Sequence, residues 1–107
     1  MALDESQRNA FLSELIKASK ELKSDELVFK SEWIYDLPTQ SLEIGGQMLH
    51  NRYEIPTGWN GYGVEDLTKL VELGFLYKIY ESEEEPITFE KTIKYLIISD
   101  KPNKEKS

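Results

Sequence analysis

His50 is the only histidine in the chain, and imidazole is the side chain best suited to move protons near neutral pH. With Ser41 or Thr39 as nucleophile and Glu43 as orienting carboxylate it would make a relay for acyl transfer. These residue types occur together by chance in any polar segment, and their spacing matches no catalytic motif. The neighbours Asn51, Arg52 and Glu54 do not supply the paired-histidine spacing of a metal site either. The acidic run Glu81 to Glu85 lacks the spaced oxygen ligands and central glycine of a calcium loop, so it reads as a solvated charge run. Gly45-Gly46 is followed by neither the Gly-Lys-Ser/Thr of a phosphate loop nor a third glycine of a dinucleotide fingerprint. The absence of cysteine removes thiolate chemistry and disulfides together. The expectation is a non-enzymatic protein without a cofactor or metal.

Residues suited to contact are easier to find. The segment Glu54 to Gly63 reads Glu-Ile-Pro-Thr-Gly-Trp-Asn-Gly-Tyr-Gly. Its glycines free the backbone, while Trp59 and Tyr62, beside Asn60, bring large rings that bury much area for little side-chain entropy. Two readings of Trp59 stand: an exposed anchor for a partner, or a plug for the core. Glu83, Glu84 and Glu85 form a second candidate contact surface in the acidic turn. The chain carries 20 acids against 13 bases, a formal charge of −7, which favours a basic protein partner and disfavours nucleic acid. An inhibitor or immunity-type protein that blocks such a partner is the function this charge suits.

These candidates need a scaffold. Asp4 and Gln7 have the spacing of a capping box, and Phe11, Leu12, Leu15, Ile16 and Leu22 follow with helical period. Ser24-Asp25 ends that helix, and Leu27, Phe29, Trp33 and Tyr35 then alternate as in a strand, at least over Leu27 to Lys30. Trp33 and Tyr35 fit a core or its rim better than an exposed patch. After Leu37-Pro38, Thr39 to Tyr53 can form a helix with Leu42, Gly45, Leu49 and Tyr53 along one side. The double glycine would then mark a close approach of another backbone or a bend between a short strand and a helix. Gly63 caps a further helix in which Val64, Leu67, Leu70 and Val71 face the core and Asp66, Lys69 and Glu72 face water. Gly74 stops it, and Phe75 folds back onto Leu70. A strand over Phe75 to Tyr80 and the turn Ser82 to Pro86 follow. The stretch Ile87 to Ile97, with Ile87, Phe89, Ile93, Tyr95 and Ile97 on one face, reads as a returning strand, although it also fits a helix.

Helix, glycine stop and hairpin, carried by Leu67, Leu70, Gly74, Phe75 and Leu76, resemble a winged helix-turn-helix domain over residues 36–99. That resemblance implies an α+β fold with an N-terminal helix, two further helices and a C-terminal antiparallel hairpin, with the strand after the first helix joining the hairpin. It also implies a DNA-binding transcriptional regulator as the alternative function. In that family the helix before the glycine stop and the turn at Ser82 to Pro86 would meet DNA, but here both are acidic and would repel phosphate. Residues 1–99 are expected to form one domain and residues 100–107, with no apolar side chain, a disordered tail. No export signal, lipidation motif or membrane span is evident, so a cytoplasmic location is expected.

Overall fold

A computed structural model describes residues 3–34, 37–53 and 62–98. The chain runs α1 (Glu5–Leu22), β1 (Glu26–Ile34), β2 (Leu37–Ile44), β3 (Gln47–Tyr53), α2 (Val64–Glu72), β4 (Leu76–Glu81) and β5 (Lys91–Ile97). The strands form one antiparallel sheet in the order β3-β2-β1-β5-β4. This is an α+β protein with an N-terminal helix. Among the described residues no helix is long and apolar enough to cross a membrane. The expected tail lies outside the described residues.

α1 begins as its sequence dictates. The Asp4 carboxylate accepts from the Gln7 amide at 2.8 Å, and the Gln7 side chain accepts from the Asp4 amide at 3.0 Å, so two otherwise orphaned donors are satisfied. Phe11, Leu12 and Leu15 are buried on its inner face, with Ile16 and Leu22 partly buried beside them.

Residues 39–53 do not form a helix. They belong to a β2–β3 hairpin closed by Gly45-Gly46, whose φ angles of 59° and 82° match a two-residue turn with both central residues left-handed. A helix through this pair would forgo the conformation that glycine alone reaches cheaply. A side chain at Gly45 would also press on the Ser24 Cβ at 3.0 Å. The expected count of two further helices is therefore corrected to one, α2. Between α1 and α2 lie three strands, so no pair of successive helices is formed there among the described residues. Pro38 sits in β2 beyond the last β3 pair, Thr39 with Tyr53, where its missing amide leaves no gap in that ladder.

β1 lies at the centre of the sheet, between β2 and β5. Its pairing with β5 joins it to the C-terminal hairpin as expected. The register aligns Leu27 with Ile44 and Tyr95, and Phe29 with Leu42 and Ile93. These six point to one face and are all buried. With Phe11, Leu12 and Leu15 of α1 and Leu67 and Leu70 of α2 they form a single core, so both helices cover the same side of the sheet.

α2 ends where its sequence says. Gly74, at φ 87°, donates to the Val71 carbonyl at 3.0 Å, and Phe75 donates to the Leu70 carbonyl at 2.9 Å, the paired reach-back of a Schellman motif. Its start is a correction. Asp66, expected at the outer face, is only 1% exposed. Its carboxylate accepts from the Gly63 amide at 2.7 Å and the Leu3 amide at 2.8 Å. Val64, expected in the core, is instead 41% exposed. The carboxylate must lie over the helix start to reach those two donors, and that rotation of α2 moves Val64 outward.

Two measurements check this packing. Leu70→Ala is expected to lower the unfolding free energy by about 2 to 5 kcal/mol, seen as a fall in urea midpoint, and a midpoint near that of the wild type would mean that α2 is not seated on the core. Asp66→Ala, which strands two amide donors, should cost about 1 to 3 kcal/mol for each donor that water cannot reach.

Candidate functional site

The β4–β5 connection is longer than the hairpin turn the sequence suggested. β5 begins at Lys91, so Ile87 and Phe89, expected on the core face of a strand, lie in the loop between the strands. One side chain organises this loop. Glu85 Oε1 accepts from the Ile87 amide at 3.1 Å, while Oε2 accepts from both the amide and the hydroxyl of Thr88 at 2.7 Å. The Glu85 carbonyl accepts from Phe89 at 2.8 Å, and the Glu85 amide donates to the Glu90 carbonyl at 2.9 Å. Phe89 adopts the left-handed region at φ 59°, which breaks the extended run and explains why the strand does not continue back to Ile87. Together the bonds give the loop one defined shape, and the same donors hold the Glu85 carboxyl below its ordinary pKa.

Held this way, the loop presents apolar surface. Ile87 is 83% exposed at its apex. Phe89 tilts against Trp33 of β1 with ring centroids 5.4 Å apart, and the Trp33 amide donates to the Thr88 carbonyl at 2.9 Å. Trp33 remains 46% exposed, so it lies at the rim and not within the core. Glu83 and Glu84 are exposed on the same loop. The rim position of Trp33 is one of the two that its sequence offers, whereas Ile87 and Phe89 were not read as surface residues. The signal that could have found Ile87 is Pro86-Ile87-Thr88, which follows five consecutive polar residues and so belongs to the connection as well as to a strand.

The other proposed contact residues are placed differently. Tyr62 is 4% exposed, with its ring stacked on Phe11 at 4.6 Å and edge-on to Phe29 at 6.5 Å, so it belongs to the core and offers no free surface. Trp59 and Asn60 lie outside the described residues. His50 on β3 pairs with Glu14 of α1 at 2.8 Å and lies 5.6 Å from the Tyr62 ring. It sits opposite Leu42, whereas Ser41 and Glu43, one position to either side, point to the opposite face of the sheet. The relay that those residue types could have formed is not assembled. Among the described residues no three side chains of ligating type gather as for a metal ion.

An open cleft of about 260 Å³ lies between α2 and the sheet, lined by residues of β1, β2, β4 and β5. Val64, Thr68 and Val71 form the helix wall, and Phe29, Ile93 and Tyr95 contribute to the floor. Lys78 and Glu81 of β4 with Lys91 of β5 close the far side. Lys78 donates to Glu81 Oε1 at 2.6 Å and Lys91 reaches Oε2 at 2.8 Å. Hydrogen bonds from Lys78 and then Lys91, reinforced by their charge, lower the Glu81 carboxyl to about 2 from an ordinary 4.5. Burial pushes the Tyr95 phenol up to about 12, so it stays neutral over the ordinary pH range.

No protein family, characterised protein or solved structure matches this chain.

Because Glu81 is more acidic folded than unfolded, its contribution to stability is complete above about pH 4.5 and is lost as the pH falls toward about 2. Glu85 acts with the same sign. A carbon-detected titration of the Glu81 carboxyl should accordingly show a midpoint near 2. Glu81→Gln should flatten the acid limb of the stability curve, and a Glu81 midpoint near 4.5 would mean that the two lysines do not hold it.

Proposed function

We propose that this protein is a small acidic, non-enzymatic interaction module of the inhibitor or immunity type, which binds a basic protein partner through the loop 82–90. The observation that carries the reading is Ile87, 83% exposed at the apex of a loop whose backbone is fixed by the Glu85 carboxylate. An apolar side chain held out into water costs free energy that a partner's pocket recovers, and a loop already in shape loses little entropy on binding. Trp33 and Phe89 beside it add aromatic surface of the kind that anchors interfaces. Glu83 and Glu84 flank this patch, so the complementary surface is an apolar pocket bordered by lysine or arginine.

The winged-helix reading, with DNA as the partner, finds less support. The connection that would act as wing carries Glu83, Glu84 and Glu85, and α2 carries Glu65 and Glu72 on its exposed side against Lys69. A duplex approaching either element would meet like charge.

Affinity capture from the native cell lysate with wild-type protein, Ile87→Asp and the double variant Glu83→Lys/Glu84→Lys tests the proposal. A basic protein should be retained by the wild type and lost from both variants. Ile87→Asp should shift the unfolding free energy by no more than about 0.5 kcal/mol while weakening the complex by about 2 kcal/mol or more. Equal retention by all three would reject the loop as the contact, and a salt-sensitive nanomolar shift of duplex DNA would favour the regulator.

A further inference from the structure

The cleft between α2 and β4–β5 is chemically two-sided. Its helix wall is apolar apart from Thr68, and one of its two valines, Val64, remains 41% exposed although it faces Phe29 and Ile93 across a floor to which Ser31 and Gln40 add polar groups. Its opposite wall bears two ammonium groups and one carboxylate. Each oxygen of Glu81 takes one lysine, so each lysine keeps further N–H donors that Glu81 does not use. Glu84 acts on Lys91 through its charge, from farther off. Among the groups that line the cleft, the two lysines leave one positive charge uncompensated in a chain of net −7.

We infer that this cleft binds a small carboxylate with an apolar body, its hydrocarbon or ring lying between Val64, Val71 and Ile93 and its carboxylate bridging Lys78 and Lys91. The size fits: about 260 Å³ lies just below the roughly 300 to 1,000 Å³ of pockets for drug-sized molecules, so one aromatic ring or a short chain is the matching occupant. The polarity fits as well. An amine would face two ammonium groups, and an uncharged hydrocarbon would leave their free donors without a new acceptor. Binding here does not depend on the loop 82–90 acting as a protein contact.

The test is a titration of the full-length, nitrogen-15-labelled protein with benzoate, benzylamine and benzyl alcohol at about neutral pH, followed by amide chemical shifts and by circular dichroism for the fold. Benzoate should give saturable shifts centred on Ser31, Thr68, Val71 and Ile93. Benzylamine should give none there, and benzyl alcohol should bind more weakly than benzoate. Lys78→Met and Lys91→Met keep the aliphatic stems and remove one cation each, so each should weaken benzoate by about tenfold or more. Val71→Trp should fill the cleft and abolish the shifts while helix content is retained. Should either lysine variant fail to fold, the other and Val71→Trp still decide. Benzylamine binding as tightly as benzoate, unchanged affinity in a folded lysine variant, or the absence of saturable shifts at these residues would each overturn the inference.

Discussion

The buried carboxylate of Asp66 ties the start of α2 to the residues that lead into α1, more than sixty positions earlier in the chain. It accepts from Leu3, before α1, and from Gly63, at the start of α2, so one side chain fixes both helix beginnings on the same side of the sheet. A charged group this deep is tolerable only when donors replace the water it has lost, and here two backbone amides and the positive end of α2 do so. The geometry is demanding. Each carboxylate oxygen serves one donor, and an amide in its place would keep only one accepting atom for the two.

The cleft follows from this constraint. α2 has only nine residues, and with its start tied down it directs Leu67 and Leu70 into the core while Val64 and Val71 face the gap toward β4. An irregularity in β4 then supplies the gap's other wall. The β4–β5 register shifts between Lys78 and Tyr80, so Lys78 pairs with Tyr95, Tyr80 with Lys94 and Glu81 with Ile93. In a regular strand Lys78 and Glu81 would point to opposite faces. The extra residue puts both on the inner face, where they meet, and sends Tyr80 to the outer face, where Lys94 lies 5.7 Å from its ring.

Elements whose signals are local were legible in the sequence. The capping box at Asp4, the glycine stop at Gly74 with Phe75 and the alternation at Leu27 and Phe29 each specify backbone geometry within a few residues, and each is found as read. Residues 39–53 misled because Leu42, Leu49 and Tyr53 satisfy a helical period by accident, while the decisive feature is Gly45-Gly46, a pair that hairpin turns favour. Asp66 misled for another reason. Its polarity marks an outer face in any helical projection, and its burial rests on the Gly63 amide three residues back together with the tertiary approach of Leu3. Ile87 and Phe89 were assigned to the strand by alternation alone, which cannot register that Glu85 captures the backbone ahead of it. The surface patch was thus hidden by a bond network centred on a residue first read as free charge.

That network also changes what the acidity means. A net charge of −7 suggests a uniformly negative surface, yet several carboxylates are committed within the fold: Asp4 to the start of α1, Asp66 to the two helix beginnings, Glu81 to two lysines and Glu85 to its own loop. Glu83 and Glu84 are of the other kind, exposed and without a hydrogen bond among the described residues. A carboxylate that already accepts several donors has little left for a partner, whereas a solvated one can exchange water for a cation at small cost. The charge available for recognition is therefore narrower than the composition implies, and it lies beside the most exposed apolar side chain of the loop. In the complex proposed above, net charge would steer the basic partner from a distance, while the pairing of Glu83 and Glu84 with Ile87 would set where it docks.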